Sequence, residues 1–486
     1  MNRRQFLAAA SAPALAQPPA PRRRNLVFIL SDDHRYDALG CAGHPWLQPP
    51  HLDRLDAGCA LFENAFVTTS LCSPSRASIL TGLYMHAHNV QDNFSPLNPA
   101  LPTFPALLQQ AGYRTGFFGK WHMGGDSDEP RPGFDDWYSF FGQGQYENPP
   151  VNHNGVKKTE SGNITDVLTT RAGEFIDRHA NRPFCLYLSH KGVHFPFQPS
   201  ARHKKLYADA PIPRPATIWR NDDLDSQLPD WVKRRRYTRH GVEGLFGQVI
   251  SFEEAYRDYM RCLLSIDDSV GEITRKLESK GLLDDTLIVY MGDNGYLWGE
   301  HGLVDKRAMY EPSMRVPLIA HCPALFPKGQ KPKQLVLNLD IAPTLLEAAG
   351  VTKLPAMHGR SWLPLLQGRT ANWRQDFVYE YAWERDYPYT PTITGLRTQK
   401  YSFMLSEGLW DIDELYDLEN DPEQRKNLLA AARIGYKRGR MIEQITDPKL
   451  KETVAALQKR LADLLRQTGG DPRRAGEAIP GYANAL

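Results

Sequence analysis

The stretch Asn25-Leu26-Val27-Phe28-Ile29-Leu30 leads directly into Ser31-Asp32-Asp33-His34. A short run of β-formers with no polar alternation is typical of a strand that is buried on both faces, as in a parallel sheet. Similar runs recur at 113–118, 182–189 and 286–291, with helical segments between them. Strands that alternate with helices predict an α/β fold in which a large, mostly parallel mixed sheet is sandwiched by helices.

Polar side chains follow four of these predicted strands. They are Asp32 and Asp33, Lys120 and His122, His190 and His194, and Asp293 and Asn294. Each pair alone could be a helix cap, a surface lysine or a packed histidine. Ligands of open α/β sheets bind beyond the carboxyl ends of the strands, so four such pairs at one edge predict a single site. The adjacent carboxylates suit a hard cation, which needs several oxygen ligands around one point.

A second informative stretch is Leu71-Cys72-Ser73-Pro74-Ser75-Arg76-Ala77-Ser78-Ile79-Leu80-Thr81-Gly82. It predicts a turn that enters a helix, because proline is well tolerated in a first helical turn. Arg76 follows Cys72 by four residues, so the two side chains can share one helical face. A helix N-terminus beside a guanidinium favours a thiolate or a bound oxyanion. The alternative is a buried cysteine with no chemical role.

The chain divides into two predicted parts. Residues 25–370 form an α/β catalytic part, and residues 371–486 form a C-terminal subdomain and tail, with a smaller antiparallel sheet and a helix. Residues 131–145 are interpreted as a shaped loop. The polar, proline-rich insertion 200–250 is expected to border a substrate entrance. Its basic run Lys233-Arg234-Arg235-Arg236 is interpreted as a solvated surface.

The N-terminus carries a targeting pattern. Arg3 and Arg4 precede a short apolar run, and Ala14-Leu15-Ala16 fits a cleavage site, so residues 1–16 are a predicted twin-arginine signal peptide and residues 17–24 a linker. We therefore expect export from a bacterium to the periplasm or beyond, through the twin-arginine machinery. No apolar run is long enough to span a bilayer, so no stable membrane span is expected.

Charge and cysteine content exclude several classes of function. The chain has 58 Lys and Arg against 56 Asp and Glu, and cleavage of the signal would bring the formal charge near zero. A general basic field for nucleic acid is therefore absent. The six cysteines form no CxxC pair, which argues against a zinc ribbon or a thioredoxin-like site, and their spacing dictates no disulfide.

Taken together, these motifs resemble the type I, formylglycine-dependent sulfatases of the alkaline phosphatase superfamily. The matching stretches cover most of the mature chain. They are Ser31-Asp32-Asp33, Cys72–Gly82, Gly119-Lys120-Trp121-His122, His194-Phe195-Pro196, Gly292-Asp293-Asn294-Gly295, Lys306 before Tyr310-Glu311, Leu415-Tyr416-Asp417-Leu418, Asp421-Pro422-Glu423 and Asn427-Leu428.

The resemblance implies a role for each matched residue. A divalent cation, usually Ca²⁺ in this family and alternatively Mg²⁺, would be held by Asp32, Asp33, Asp293 and Asn294. A maturation enzyme would oxidise Cys72 to formylglycine, whose hydrate would add a metal ligand and supply the nucleophile for a covalent sulfoenzyme. The remaining roles are stabilisation of residue 72 by Arg76, a hydrogen bond to it from His122, and sulfate contacts from Lys120, His194 and Lys306, with His194 the proton donor to the leaving alcohol.

The resemblance also indicates a class of substrate. The chain looks most like bacterial carbohydrate sulfatases of the N-acetylglucosamine-6-sulfatase and mucin-desulfating types, which implies a sulfated saccharide. Iduronate-2-sulfatase-like, choline-sulfatase-like and phosphonate monoester or phosphodiester hydrolase activities remain alternatives, as does an inactive glycan-binding protein. His301, Trp383, Glu384 and Arg385 are candidate substrate contacts, with a loop histidine and a surface patch as the ordinary alternatives.

Overall fold

Strands and helices alternate along the computed structural model, which describes residues 23–57, 60–124, 127–219, 221–246, 250–369, 372–407, 412–432 and 444–476. The strands are β1 (Asn25–Ser31), β2 (Ala60–Leu61), β3 (Ala65–Phe66), β4 (Arg114–Lys120), β5 (Asp136–Phe140), β6 (Pro150–His153), β7 (Val156–Thr159), β8 (Phe184–Ser189), β9 (Thr286–Gly292), β10 (Leu297–Trp298), β11 (Val304–Asp305), β12 (Leu318–His321), β13 (Val336–Leu337), β14 (Asp376–Tyr381), β15 (Thr392–Thr398), β16 (Tyr401–Glu407) and β17 (Glu414–Asp417). The helices are α1 (Pro50–Ala57), α2 (Cys72–Thr81), α3 (Met85–His88), α4 (Phe104–Gln110), α5 (Ile164–His179), α6 (Asp222–Gln227), α7 (Asp230–Arg235), α8 (Val242–Leu245), α9 (Phe252–Ser279), α10 (Glu311–Met314), α11 (Ile341–Ala348), α12 (Leu363–Leu366) and α13 (Pro448–Thr468).

The main sheet contains nine strands within the described residues, in the order β2-β12-β9-β1-β8-β4-β5-β6-β7. Its five central strands, β9-β1-β8-β4-β5, are parallel. Strand β12 on one side and strands β6 and β7 on the other pair antiparallel with their neighbours. The carboxyl ends of the five parallel strands therefore meet along one edge, where polar side chains from separate parts of the chain can converge.

Strand β1 shows why this sheet is covered on both faces. Leu26, Phe28 and Leu30 point into one hydrophobic core, which also contains residues of α2, α4 and α11. Val27 and Ile29 point into the other, with residues of α1, α5 and α9. Alternate residues of a strand face opposite sides of the sheet, so a strand between two helical layers must be apolar throughout. The predicted mostly parallel sheet with helices on both faces is confirmed.

A smaller antiparallel sheet follows in the order β14-β15-β16-β17. Helix α13 packs against its first two strands, and its apolar residues Val454, Leu457 and Leu461 are buried. This confirms the predicted C-terminal sheet and helix. The boundary proposed near residue 370 falls at residues 370 and 371, which lie outside the described part of the chain, as do the predicted signal peptide and linker residues 17–22.

Two local predictions are wrong. Residues 131–145 are not only a loop, because β5 lies within them and pairs in parallel with β4. The basic run at 233–236 is not simply solvated. Arg235 and Arg236 are 2% and 0% exposed, and their guanidinium groups donate to the carbonyl groups of Val304 and Ile218. Helix α7 and the following turn pack against the remote 304–307 segment, a contact that composition alone does not reveal.

Within the described residues, every helix is too short or too polar to traverse a lipid bilayer.

Candidate active site

Four buried oxygen-bearing side chains meet at the carboxyl edge of the parallel strands. Asp32 and Asp33 follow β1, and Asp293 and Asn294 follow β9, the strand paired with β1. One ligand atom each from Asp32, Asp33, Asp293 and Cys72 lies within 4.8 Å of the others. The backbone N–H of Asp33 donates to Asp293 Oδ1 at 3.0 Å, which fixes the two strand ends to each other.

The amide of Asn294 completes this oxygen cluster. Its Nδ2 donates to Asp33 Oδ1 at 2.7 Å and to the carbonyl oxygen of Gly295 at 2.9 Å. Its Oδ1 is buried and has no hydrogen-bond partner among the described residues. A buried acceptor without a donor lowers the stability of the fold. Because hard divalent cations take carboxylate and amide oxygens as ligands, the residues present fit such an ion.

The pKa values show how strongly the carboxylates interact. Burial raises the pKa of Asp33 to about 7, although the ammonium group of Lys306 acts in the opposite direction. Burial and the charge of Asp32 raise the pKa of Asp293. The pKa of Asp32 stays well below its usual value, because Lys120 and other nearby cations outweigh its burial. A bound cation would favour the charged form of all three carboxylates.

Helix α2 brings Cys72 to this cluster. All ten residues of the helix are buried, and Cys72 is its first residue. The Sγ atom lies 3.5 Å from Asp32 Oδ1 and 3.3 Å from Lys306 Nζ. Burial and the nearby Asp32 carboxylate raise the pKa of the Cys72 thiol. The thiolate considered from the sequence is therefore disfavoured, so as a plain thiol Cys72 would be a weak nucleophile.

Arg76 lies one turn further along α2, and its guanidinium contacts three other segments of the chain. Its Nε and Nη2 atoms lie 2.9 and 2.8 Å from Asp293 Oδ2. Its Nη1 donates to Ser189 Oγ at 2.7 Å and to the carbonyl oxygen of Lys120 at 2.6 Å. A planar guanidinium with this many fixed partners holds α2, β4, β8 and β9 in one arrangement. Ser189 was not assigned a role from sequence, although its place at the end of β8 was a usable signal.

The two predicted lysines contact the carboxylates directly. Lys120 Nζ donates to Asp32 Oδ2, and Lys306 Nζ donates to Asp33 Oδ1. Both lysines are almost completely buried. Opposite charges in close contact satisfy each other where water is excluded. The structure thus brings both cations and three carboxylates into one buried network around Cys72.

His122 is held on the other side of the helix N-terminus. Its Nδ1 lies 3.3 Å from Ser73 Oγ, and the N–H of Ser73 donates to Asn93 Oδ1 at 3.2 Å. Burial and the charge of Lys120 keep the pKa of His122 well below its usual value, so the ring is neutral. Ser73 and Asn93 were not assigned a role from sequence.

The cluster opens into a cleft of about 330 Å³. His194, Asp33 and Lys306 line it, and His194 Nε2 lies 4.0 Å from Asp33 Oδ2. Insertion 200–250 supplies Arg239, His240 and Leu245 to the wall, as expected for a segment that borders the entrance. The other lining residues are Asn93, Gln143, Phe195, Tyr296, Val304, Asp305, Arg307 and Tyr387.

The four candidate substrate residues are separated by the fold. His301 lines a different cavity of about 320 Å³, and its ring packs 4.2 Å from that of Tyr310. Glu384 is buried, and its Oε2 accepts from Arg307 Nε at 2.6 Å and from the Tyr381 hydroxyl at 2.8 Å. Trp383 and Arg385 are exposed.

His190 also differs from the strand-exit prediction. It is fully buried, and its Nε2 lies 3.2 Å from Ser269 Oγ on α9. Burial lowers its pKa to about 3. It is a neutral histidine that packs between the sheet and α9, whereas His194 four residues later lines the cleft.

Similarity to known proteins agrees with this geometry. The sequence profile of the sulfatase family matches residues 24–351, and that of the C-terminal region of N-sulphoglucosamine sulphohydrolase matches residues 299–465. An N-acetylglucosamine-6-O-sulfatase of Bacteroides thetaiotaomicron is 32% identical over 92% of each chain. The human N-acetylglucosamine-6-sulfatase is 30% identical, over 95% of this chain and 88% of the human one.

Solved structures show the same architecture. A complex of a protein with its substrate, D-glucosamine-2-N,6-O-disulfate, superimposes with a TM-score of 0.82 at 28% identity, covering 92% of this chain and 98% of the other. A phosphonate monoester hydrolase from Silicibacter pomeroyi superimposes with a TM-score of 0.75 at 20% identity, covering 92% and 96%, which is a likeness of fold alone. The chain therefore belongs to the sulfatase family, the sulfuric ester hydrolases built on the alkaline phosphatase fold.

Proposed function

We propose that this sulfatase hydrolyses a sulfate ester on a sulfated carbohydrate, and that the ester lies on O6 of an N-acetylglucosamine or related glucosamine unit. The contact of Cys72 with both Asp32 and Lys306, beside the unpaired oxygen of Asn294, carries the proposal. The relatives named for N-acetylglucosamine 6-sulfate support the choice of sugar.

We propose that a formylglycine-generating enzyme oxidises Cys72. The raised pKa of the buried thiol argues against a reaction through the unmodified side chain. Once hydrated, a formylglycine at this position supplies two hydroxyl groups on one carbon, one to attack sulfur and one to release sulfate afterwards. Arg76, fixed on Asp293, maintains positive charge beside the position, and His122 is held by Ser73 within reach of the same helix end.

Asp32, Asp33, Asp293 and Asn294 would hold one divalent cation, which we propose is Ca²⁺, with Mg²⁺ as the alternative. Such an ion would stabilise negative charge on the sulfate oxygens. Lys120 and Lys306 would bind the same oxygens through their ammonium groups. Both lysines already lie beside the carboxylates, so they need little reorganisation to bind an anion.

His194 is the proposed proton donor to the leaving alcohol. Its ring lines the cleft, where a sugar oxygen can reach it. Burial and the charge of Lys120 keep its pKa well below the usual value, so the ring is neutral in the resting protein. An anionic ester in the cleft favours its protonation, and a departing alkoxide is basic enough to take the proton.

The biological setting is also a proposal. Export through the twin-arginine machinery to the periplasm or medium rests on residues 1–16, and the division into parts 25–370 and 371–486 rests on the change of sheet type. The extracellular sulfatases among its relatives are compatible with export.

The decisive experiment is to co-express the chain with a formylglycine-generating enzyme and measure sulfate release. We expect N-acetylglucosamine 6-sulfate to be cleaved in preference to N-acetylglucosamine 3-sulfate, an iduronate 2-sulfate, choline sulfate and an aryl phosphonate. Mass spectrometry of the peptide that carries residue 72 should show the aldehyde. Dominant phosphonate turnover, or full activity with an unmodified thiol, would contradict the proposal.

A further inference from the structure

Several exposed aromatic side chains lie on the chain segments that supply the lining of the cleft. Among the described residues, ten large hydrophobic side chains are exposed, and six of them are aromatic residues that either line the cleft, in one case, or lie within four residues of a lining residue along the chain, in the other five. We name these six the aromatic rim. They are Phe94, Phe141, Phe195, Tyr237, Trp383 and Tyr389. Large exposed apolar groups gathered at one place on a surface indicate a binding function.

Local hydrogen bonds hold two of these residues within their own chain segments. Phe94 follows the cleft residue Asn93, and Asp92 Oδ1 accepts from its backbone N–H at 2.9 Å. Trp383 donates from its backbone N–H to Thr392 Oγ1 at 3.0 Å and from Nε1 to the carbonyl oxygen of Pro388 at 3.3 Å. The Trp383 indole is thus tied to its own turn while half of its surface stays exposed.

Tyr387, in the same turn as Trp383, anchors that turn to the cleft. The guanidinium of Arg307 lies 3.5 Å from the centroid of its ring, and the His240 ring lies 4.4 Å away. Arg307 is fixed in turn by Asp305 and Glu384, each at 2.6 Å. A ring held between two such groups keeps the 383–390 turn in place beside the cleft.

The basic side chains of the cleft wall differ in whether they have a carboxylate partner. Lys306 is paired with Asp33, and Arg307 with Asp305 and Glu384. Arg239 has no carboxylate partner among the described residues, and its Nε donates to His240 Nε2 at 3.0 Å. An unneutralised guanidinium beside aromatic rings suits a ligand that carries both an apolar ring face and a negative group.

We propose that the aromatic rim and Arg239 bind the sugar residues that flank the sulfated unit, so that the substrate is an anionic oligosaccharide or polysaccharide rather than a monosaccharide. Pyranose rings present apolar C–H faces that stack on aromatic side chains, and a carboxylate or second sulfate on a flanking sugar would pair with Arg239. This inference rests on the proposed function, because it extends the same cleft outward.

Binding by an inactive protein tests the inference without maturation of residue 72. In the Cys72→Ala background, calorimetry would measure Kd for N-acetylglucosamine 6-sulfate and for two tetrasaccharides that end in it, one otherwise neutral and one with uronate carboxylates. The uronate tetrasaccharide should bind at least about 10-fold more tightly than the monosaccharide. Adding Phe94→Ala or Trp383→Ala should weaken tetrasaccharide binding about 3- to 10-fold, with a smaller effect on the monosaccharide. Trp383→Phe should restore much of the affinity.

Arg239→Gln should reduce the preference for the uronate tetrasaccharide over the neutral one. Trp219→Ala is the matched control, because Trp219 is also exposed but lies far in the chain from every residue that lines the cleft. The inference would be overturned if the monosaccharide and the tetrasaccharides bound with equal affinity. It would also be overturned if the rim variants lost equal affinity for both. A dimer in sedimentation that dissociates in the Phe94→Ala variant would assign the rim to self-association instead.

The matured wild-type enzyme keeps this test separate from the proposed function. If it releases sulfate from the monosaccharide as efficiently as from the tetrasaccharides, only the inference fails. If it releases no sulfate from any of the three saccharides, the proposed function itself fails.

Discussion

The carboxyl edge of the sheet and the rim of the cleft adjoin each other, yet different forces hold their side chains. At the sheet edge, Asp32, Arg76, Asp293 and Lys306 are buried, and each contacts an opposite charge from another strand or helix. At the rim, residues such as Trp383 are exposed, lie on turns and are fixed by local hydrogen bonds. The edge therefore tolerates little change, whereas the rim can vary with the substrate. The expected effects of substitution fall in the same order.

Cys72→Ala should have the largest effect. Loss of the proposed nucleophile should lower turnover of the matured enzyme by on the order of 10⁴-fold or more. Alanine suits a helix start, so the melting temperature should stay within about 2 °C. Cys185→Ala is the matched control, because Cys185 is equally buried but lies within β8 away from the carboxyl edge. If Cys72→Ala retained substantial turnover, the chemistry could not depend on residue 72.

Asn294→Leu tests the oxygen cluster. It removes the unpaired buried oxygen and should lower activity by about 100-fold, in the range of other lost metal-site interactions. Calcium should raise the melting temperature of the wild type after chelation, because an ion that binds only the folded state stabilises it. That rise should be absent in Asn294→Leu and retained in Asn294→Asp, which keeps an oxygen donor. An undiminished calcium response in Asn294→Leu would remove Asn294 from the cation site.

Glu384→Gln tests the role of a buried residue that supports the cleft wall, in contrast to the exposed residues of the rim. Glu384 holds Arg307 at 2.6 Å, so loss of its charge should shift the Arg307–Tyr387 contact and lower kcat/KM about 10-fold, with a melting temperature lower by a few degrees. The neighbouring Arg385 is exposed, and Arg385→Gln should change the melting temperature by less than about 1 °C. Equal effects of the two variants on stability would contradict the difference in burial.

Substitution of His190 should have the smallest effect, and it should change only the stability of the fold. Burial lowers its folded-state pKa to about 3, whereas an unfolded histidine has a pKa of about 6.5. The unfolded state gains the proton first as the pH falls, so His190 costs the fold up to about 1.4 kcal/mol per pH unit between these two values. His190→Gln should lower stability at pH 7 but reduce the additional loss between pH 7 and pH 5. Thermal unfolding at both pH values would measure this, and an unchanged pH dependence would contradict the assignment.

The residues at the carboxyl edge of the sheet could be predicted from sequence, because the pattern that marks them lies within a few residues of each one. Asp32 and Asp293 each follow directly after an apolar strand, and parallel strands bring their carboxyl ends together. Strand β5 was missed because its short run is interrupted by serine and lies between glycine-rich turns. Arg235 and Arg236 were misassigned because their partners lie in remote segments of the chain.

The sequence by itself determined the α/β architecture, the membership of the sulfatase family and the residues that gather around Cys72. Apolar strands and short motifs encode these features within a few residues of one another. The tertiary structure alone decided the difference between neighbours such as Trp383 and Glu384, one exposed and the other buried against Arg307, 77 residues away in the chain. It also left Arg239 without a carboxylate among the described residues and placed His301 in a separate cavity. Burial and charge pairing depend on distant segments, and only the folded chain brings those segments together.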